Sequence, residues 1–191
     1  AYTDVEKSES EKELANKINH FAVDNIAKLC SKYSVQLIHI STDYVFDGEN
    51  TSPYFEDDIT KPVNFYGKTK LGGENKILTY SLKNSAIIRT SLLYSQFGNN
   101  FVKRIVNQIN KGENFSVVDK LYCSPTNAFD LSKAIFILIN KLKNEKAEIY
   151  HFSNRGTCSR YDLACEINTI IGGKSIIKPS KYAKQNLTKA K

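Results

Sequence analysis

The stretch Val35-Gln36-Leu37-Ile38-His39-Ile40-Ser41-Thr42-Asp43 decides how this chain folds. Val35 to Ile40 is a short β-branched run of the kind that forms a buried strand, and it stops abruptly at three small hydrogen-bonding side chains. Open α/β sheets bind their ligands at this end of their strands. Upstream, Glu11 to Tyr33 predicts a helix in which Leu14, Ile18, Phe21, Ala22, Ile26 and Leu29 form one apolar stripe at three- and four-residue spacing. Downstream, Asp47 to Asn64 is polar, carries Gly48, Pro53 and Pro62, and predicts a loop.

The same alternation continues outward. A helix is predicted from Phe65 or Tyr66 to about Leu82, a strand over Ala86 to Leu93, and a polar loop at Ser95 to Asn99. Phe101 to Ile109 reads as a helix stopped by Gly112, Phe115 to Val118 as a strand, Asn127 to Leu142 as a helix, and Ile149 to Phe152 as a strand. Ser159 followed by Asp162 has the spacing of a capping box, so a helix runs from there to Ile171, ended by Gly172 and Gly173. Strands alternating with helices predict an α/β fold with a parallel sheet and crossover helices.

The composition excludes several classes of function. With 191 residues, 41% hydrophobic and 25% charged, the chain lies in the range of soluble globular domains. Its longest apolar run, Ala134 to Ile139, is far short of the roughly 20 residues of a membrane span, and no signal pattern opens the chain. The expectation is a cytoplasmic protein with no membrane partner. Cys30, Cys123, Cys158 and Cys165 contain no C-x-x-C pair and no histidine at ligand spacing, so packed, reduced thiols are expected and no metal site. The net charge of +7 invites a nucleic-acid partner, but Lys174 to Lys191 holds six lysines and no acid, and the rest of the chain carries only +1. Nucleic-acid binding is therefore not expected. The absence of methionine, and an opening Ala1-Tyr2-Thr3 that resembles the end of a strand, predict a fragment.

Tyr66 and Lys70 lie four apart on one face of a predicted helix. A free phenol, with a pKa of about 10, is a poor acid, and a neighbouring ammonium favours its phenolate and eases proton donation. Paired with hydride delivery from a nicotinamide, such a group reduces a ketone to an alcohol. The spacing alone says little, because 11 tyrosines and 23 lysines give about 1.3 accidental Y-x-x-x-K matches, and one is present. Taken singly, Tyr66 is a helix-start residue and Lys70 a solvated surface lysine. Context raises the pair: Thr42 ends the preceding strand, so one pocket can hold all three and offer two donors to a developing oxyanion.

Ser41-Thr42-Asp43-Tyr44-Val45-Phe46-Asp47-Gly48, followed by Pro62-Val63-Asn64-Phe65-Tyr66-Gly67-Lys68-Thr69-Lys70-Leu71 and Gly73-Glu74, resembles the extended short-chain dehydrogenase/reductase family, and within it the branch of dTDP-4-dehydrorhamnose reductases. The likeness extends through Ala1 to Glu6, Arg89-Thr90-Ser91, Gly98-Asn99-Asn100-Phe101, Ser124-Pro125-Thr126 and Asp130-Leu131. It implies a Rossmann-like doubly wound parallel sheet, truncated at its N-terminus, over residues 1–113. Residues 114–191 would be a mixed segment completing the sheet and part of a small substrate-binding subdomain. It also implies NADPH or NADH as cofactor and dTDP-4-dehydro-L-rhamnose as substrate, and it allows a homodimer. By the same resemblance Thr42, Tyr66 and Lys70 are the catalytic residues. Ala1, Tyr2, Thr3, Ile40, Tyr66 and Lys70 contact the cofactor, and Thr42, Asp43, Tyr44, Leu92 and Asn100 the substrate. Asn19 matches a helix asparagine that steadies the catalytic lysine; taken by itself it is an exposed polar residue of a helix.

Departures from the pattern touch substrate recognition. Leu92 stands where the family carries a tryptophan, and Leu121 and Cys123 where it carries a glutamine and a glycine. The chain contains no G-x-x-G-x-x-G turn, whose helix N-terminus receives the pyrophosphate. The resemblance therefore implies a fragment lacking both ends and inactive by itself. Two alternatives remain open: another nucleotide-sugar reductase, epimerase or dehydratase of the same superfamily, or a non-catalytic subunit resembling the regulatory subunit of methionine adenosyltransferase.

Overall fold

The computed structural model describes residues 1–181; the part of the lysine-rich tail beyond Lys181 lies outside the described residues. In chain order the helices are α1 (Lys12–Asn16), α2 (Ala22–Tyr33), α3 (Phe65–Thr79), α4 (Phe101–Asn110), α5 (Ala128–Ile139) and α6 (Arg160–Ile170). The strands are β1 (Ile38–Thr42), β2 (Ala86–Thr90), β3 (Leu93–Tyr94), β4 (Phe115–Val118), β5 (Tyr122–Cys123), β6 (Thr126–Asn127), β7 (Glu148–His151), β8 (Cys158–Ser159) and β9 (Ile177–Ser180). Two compact units are distinguished, one of Ala1–Thr90 with Ala134–Phe152, the other of Ser91–Lys133 with the described part of Ser153–Lys184.

The first unit is built on a three-stranded parallel sheet in the order β1-β2-β7. β1 runs beside β2 with Ile38 opposite Ala86 and Thr42 opposite Thr90, and β2 beside β7 with Ala86 opposite Glu148. All five residues of β2 are buried, which suits a central parallel strand covered on both faces. Val23, Ala27, Ile77, Leu82, Ile87 and Ala147 form the core of this unit. The α/β architecture is thus the one the alternation predicts, with β1 displaced toward Thr42 relative to the predicted strand.

The helix predicted over Glu11 to Tyr33 is nearly continuous but contains a π-helical turn, Lys17–Phe21, between α1 and α2. Its buried line is not the predicted stripe. Ala15, Asn19, Val23 and Ala27, spaced by four, face inward, whereas Leu14, Phe21, Ile26 and Leu29 are about half exposed. The reason is close packing against α3. A Cβ on Gly73 would run into the Asn19 carbonyl oxygen and sit 3.3 Å from Val23 Cγ1, so only small groups fit the contact.

In the second unit, β4 pairs with β9 in parallel, β3 with β6 in parallel, and β5 with β8 antiparallel. Ile105, Ile109, Val117, Ala164 and Ile167 form its core. The capping box predicted at the start of α6 is present: Ser159 Oγ accepts from Asp162 N at 3.0 Å, and Asp162 Oδ2 accepts from Ser159 N at 3.2 Å. The two-residue strands β5, β6 and β8 and the strand β9 have too little periodicity to be read from sequence. Among the described residues, no helix is long and apolar enough to cross a membrane.

Candidate active site

The first unit brings Ile40, Thr42, Asp43, Tyr44, Tyr66 and Lys70 together at the C-terminal end of β1. Thr42, Tyr66 and Lys70 are 5%, 9% and 3% exposed, so Lys70 is not a solvated surface lysine. Thr42 caps a 3-10 turn, Asp43–Val45; its Oγ1 accepts from Tyr44 N at 3.2 Å and donates to Asp43 Oδ1 at 3.1 Å. α3 begins because Asn64 caps it, Oδ1 accepting from Gly67 N at 2.7 Å. The helix start then presses on the 3-10 turn. A Cβ on Gly67 would collide with the Tyr44 carbonyl oxygen, and the Tyr44 ring stands edge-on to Tyr66 with centroids 5.7 Å apart.

Electrostatics set the protonation states. Burial pushes the Tyr66 phenol well above its ordinary pKa; a hydrogen bond with Thr42 opposes this, and Asp43 and Tyr44 add to it. Tyr66 is therefore a neutral phenol with a proton to give at neutral pH. The lowering that its spacing from Lys70 predicts is not found: Lys70 is not among the groups that shift it. The Lys70 ammonium instead donates to the Ile40 carbonyl oxygen at 2.7 Å and faces His39 Nε2 at 3.4 Å. Burial lowers the Lys70 pKa to about 8, with Glu74 acting in the opposite direction. His39 is pushed down to about 3 by burial and by the Lys70 charge, so its ring is neutral and Nε2 can accept from the ammonium.

Two groups remain open to a ligand. An ammonium has three donors, and Ile40 and His39 engage two. Thr90, opposite Thr42 in the sheet, has a buried hydroxyl with no hydrogen-bond partner among the described residues. A buried polar group without a partner is costly, so these residues fit a ligand carrying hydroxyl or amide groups, such as the ribose and nicotinamide of a dinucleotide.

Asn19 is 1% exposed and not a surface residue of its helix. Its side chain holds both backbone groups of Tyr2, accepting from Tyr2 N at 2.8 Å and donating to Tyr2 O at 2.9 Å, and also donates to Thr69 Oγ1 at 3.2 Å. Ala1 and Thr3, on either side, are exposed. Leu92 and Asn100 belong to the second unit. Leu92 adopts a left-handed φ of 38° and its carbonyl accepts from Thr126 N. Asn100 caps α4, accepting from Lys103 N at 3.0 Å and donating to Ser95 O at 2.8 Å.

Sequence reasoning assigned no role to Glu74 and Arg89. Glu74 is fully buried and Arg89 is 5% exposed; Arg89 Nη2 donates to Glu74 Oε2 at 2.7 Å, Nε reaches both carboxylate oxygens at 3.2 Å, and Ser41 Oγ donates to Oε1. Arg89 also donates to Glu56 O at 3.3 Å and lies over the Phe46 ring at 5.1 Å. The pair thereby ties the strand end at Ser41, the helix carrying Lys70, and the loop after Asp47 to one another. The available signal was a charged residue in each of two buried stretches, Gly73-Glu74 and Ala86 to Thr90.

The whole chain, residues 1–191, matches the family model described as RmlD substrate binding domain. It is 40% identical over 168 residues to the dTDP-4-dehydrorhamnose reductase of Escherichia coli K12, covering 86% of this chain and 55% of the relative. It is 34% identical over 164 residues to the dTDP-4-keto-6-deoxy-D-glucose reductase of Streptomyces niveus, covering 86% and 56%. The chain thus spans a little over half the length of these curated relatives. Among solved structures, it is similar to the Bacillus anthracis dTDP-4-dehydrorhamnose reductase in complex with NADP, with a TM-score of 0.87 and 36% identity over 95% of this chain and 64% of the other. A Bacillus anthracis dTDP-glucose 4,6-dehydratase, at TM-score 0.78, 18% identity, and coverage of 88% and 57%, shares the fold.

Proposed function

Because the chain belongs to the RmlD substrate binding domain family, we propose that it serves the NADPH- or NADH-dependent reduction of the 4-keto group of dTDP-4-dehydro-L-rhamnose to dTDP-L-rhamnose, with Tyr66 as proton donor. One observation carries the assignment: the phenol of Tyr66, the hydroxyl of Thr42 and the ammonium of Lys70 are buried together at the ligand-binding end of a parallel sheet. When bound, the reduced nicotinamide supplies hydride for the carbonyl carbon. Tyr66 passes its proton to the carbonyl oxygen. The Thr42 hydroxyl, turning its one proton from Asp43 to the same oxygen, lowers the barrier where negative charge develops. Lys70 would hold a ribose hydroxyl through its remaining donor. Ala1, Tyr2 and Thr3 line the dinucleotide, Tyr2 being held in place by Asn19. Asp43 and Tyr44 contact the sugar nucleotide from the first unit.

The test joins this chain to the portions of the Escherichia coli relative that it does not match, and follows NADPH oxidation with a panel of dTDP-keto-sugars. Turnover of dTDP-4-dehydro-L-rhamnose, lost in Tyr66→Phe, is the expected result. A fusion that binds NADPH yet reduces no keto-sugar sinks the proposal. The same panel includes dTDP-4-keto-6-deoxy-D-glucose, and a preference for it would assign the sugar pocket, Leu92 included, to that substrate.

A further inference from the structure

β5 and β8 form an antiparallel ribbon in which Tyr122 stands opposite Ser159 and Cys123 opposite Cys158. Arg160 N donates to Leu121 O at 3.1 Å. That bond brackets Tyr122 and Ser159 as a non-hydrogen-bonded pair, so the next pair, Cys123 and Cys158, is the hydrogen-bonded one. Partners at such a position have Cα atoms about 5.5 Å apart and side chains on the same face of the ribbon. A disulfide requires a Cα separation of roughly 4.4 to 6.8 Å, which this register meets, and a Cβ separation of about 3.5 to 4.5 Å, which the ribbon reaches by closing about 1 Å from the spacing usual for such a pair.

The side chains agree with the register. Cys123 Sγ donates to the Cys158 carbonyl oxygen at 3.6 Å, so it lies against Cys158 across the ribbon. Both residues are half-buried, open enough for a small reagent and sheltered enough for their geometry to be held by the ribbon. The other two cysteines have different surroundings. Cys30 stands on α2 in the first unit, and Cys165 on α6 faces no cysteine across a strand.

We propose that Cys123 and Cys158 are a redox modification site, a dithiol that closes to a reversible cross-strand disulfide on reaction with a low-molecular-weight disulfide such as oxidised glutathione. The inference uses none of Thr42, Tyr66 and Lys70, and its test does not depend on the proposed activity.

The exchange balances in two steps. The Cys123 thiolate attacks one sulfur of the glutathione disulfide, breaking its S–S bond and releasing one glutathione as thiolate. Cys158 then gives up its proton and attacks the Cys123 sulfur of the mixed disulfide, expelling the second glutathione. Two protein thiols are oxidised to one disulfide, and one glutathione disulfide is reduced to two thiols. Burial pushes the Cys158 thiol up, so little of it is thiolate at neutral pH, and its attack is helped by being intramolecular.

The bond would join residues 35 apart in sequence. One partner leads into Ser124-Pro125-Thr126, where Thr126 pairs with Leu93, and the other into Ser159, the cap of α6. Oxidation therefore clamps together the two segments that enter β6 and α6, and should raise the thermal midpoint of the full chain. Being half-buried, the bond should also be open to reduction.

The experiment equilibrates the full chain in glutathione buffers of increasing oxidised fraction, quenches with an alkylating agent, and maps the peptides by mass. Titratable thiols should fall from four to two. One cross-linked peptide pair should contain Cys123 and Cys158, two hydrogens lighter than the reduced pair, and dithiothreitol should restore it. Cys123→Ser and Cys158→Ser should each abolish the internal link, and in urea the preference for this pairing should vanish. Glutathione adducts on these two cysteines without an internal link at any ratio would overturn the proposal. So would cross-links through Cys30 or Cys165, or between chains. The decisive measurement is on the unsubstituted chain, so a poorly folding variant cannot obscure it.

Discussion

Glu74 and Arg89 face each other inside the first unit with opposite charges and almost no solvent. The attraction within such a pair is offset by the loss of hydration, but removing one partner leaves a bare buried charge. Arg89→Ala should lower stability by about 3–5 kcal/mol in urea unfolding, while the double change Glu74→Leu with Arg89→Leu should recover most of the loss. Lys70 has a signature in pH. Its folded pKa of about 8 lies below the unfolded value near 10.4, so the unfolded chain binds the extra proton between these limits. Burying its charge therefore costs of order 3 kcal/mol below about pH 8, and this cost disappears, so that stability rises, as pH climbs to about 10.4. Urea midpoints of the wild type and Lys70→Met, followed across that window, should converge toward its alkaline end; parallel curves would show that Lys70 is not perturbed. In the fused reductase, Tyr66→Phe should lower kcat by roughly 10²- to 10⁴-fold and Thr42→Val by less, with KM for NADPH little changed. Little of this was legible in the residues alone, since Y-x-x-x-K is expected about once by chance in this composition. The role of Arg89 was not legible at all, because nothing local in Ala86-Ile87-Ile88-Arg89-Thr90 names Glu74 as its partner.

At the scale of elements, α3 places the site through close approaches that only glycine allows. Gly67 rests on the Tyr44 carbonyl and Gly73 on that of Asn19. Gly73→Val must push α3 away from the π-helical turn, and a loss of about 1–3 kcal/mol in urea unfolding is expected, as for other overpacked contacts. Ser159→Ala removes one half of the capping box and should destabilise the second unit by about 1 kcal/mol, read as an earlier unfolding midpoint. The cap was legible in sequence because it is local, a hydroxyl and an acid three residues apart. The buried face of the first helix was misread for the converse reason. The larger side chains mark the apolar stripe, but the helix packs along Ala15, Asn19, Val23 and Ala27, where α3 comes too close for anything bigger.

At the scale of the whole molecule, β2 is the centre of the first unit, buried throughout and hydrogen-bonded on both sides. Its amides should exchange with deuterium last in that unit, near the limit of global unfolding, whereas the loop from Glu49 to Asp57 should exchange early. The sequence by itself determined the alternation of strands and helices, the parallel α/β class, the polar end of β1 and the cap of α6. These are encoded by periodicity and by neighbours a few residues apart. Tertiary structure alone decided that Lys70 turns to Ile40 and His39, that Tyr66 is buried, that Asn19 clasps Tyr2, and that Arg89 meets Glu74. Each depends on the dielectric and on contacts between distant segments, which exist only once β1, β2 and α3 have packed together.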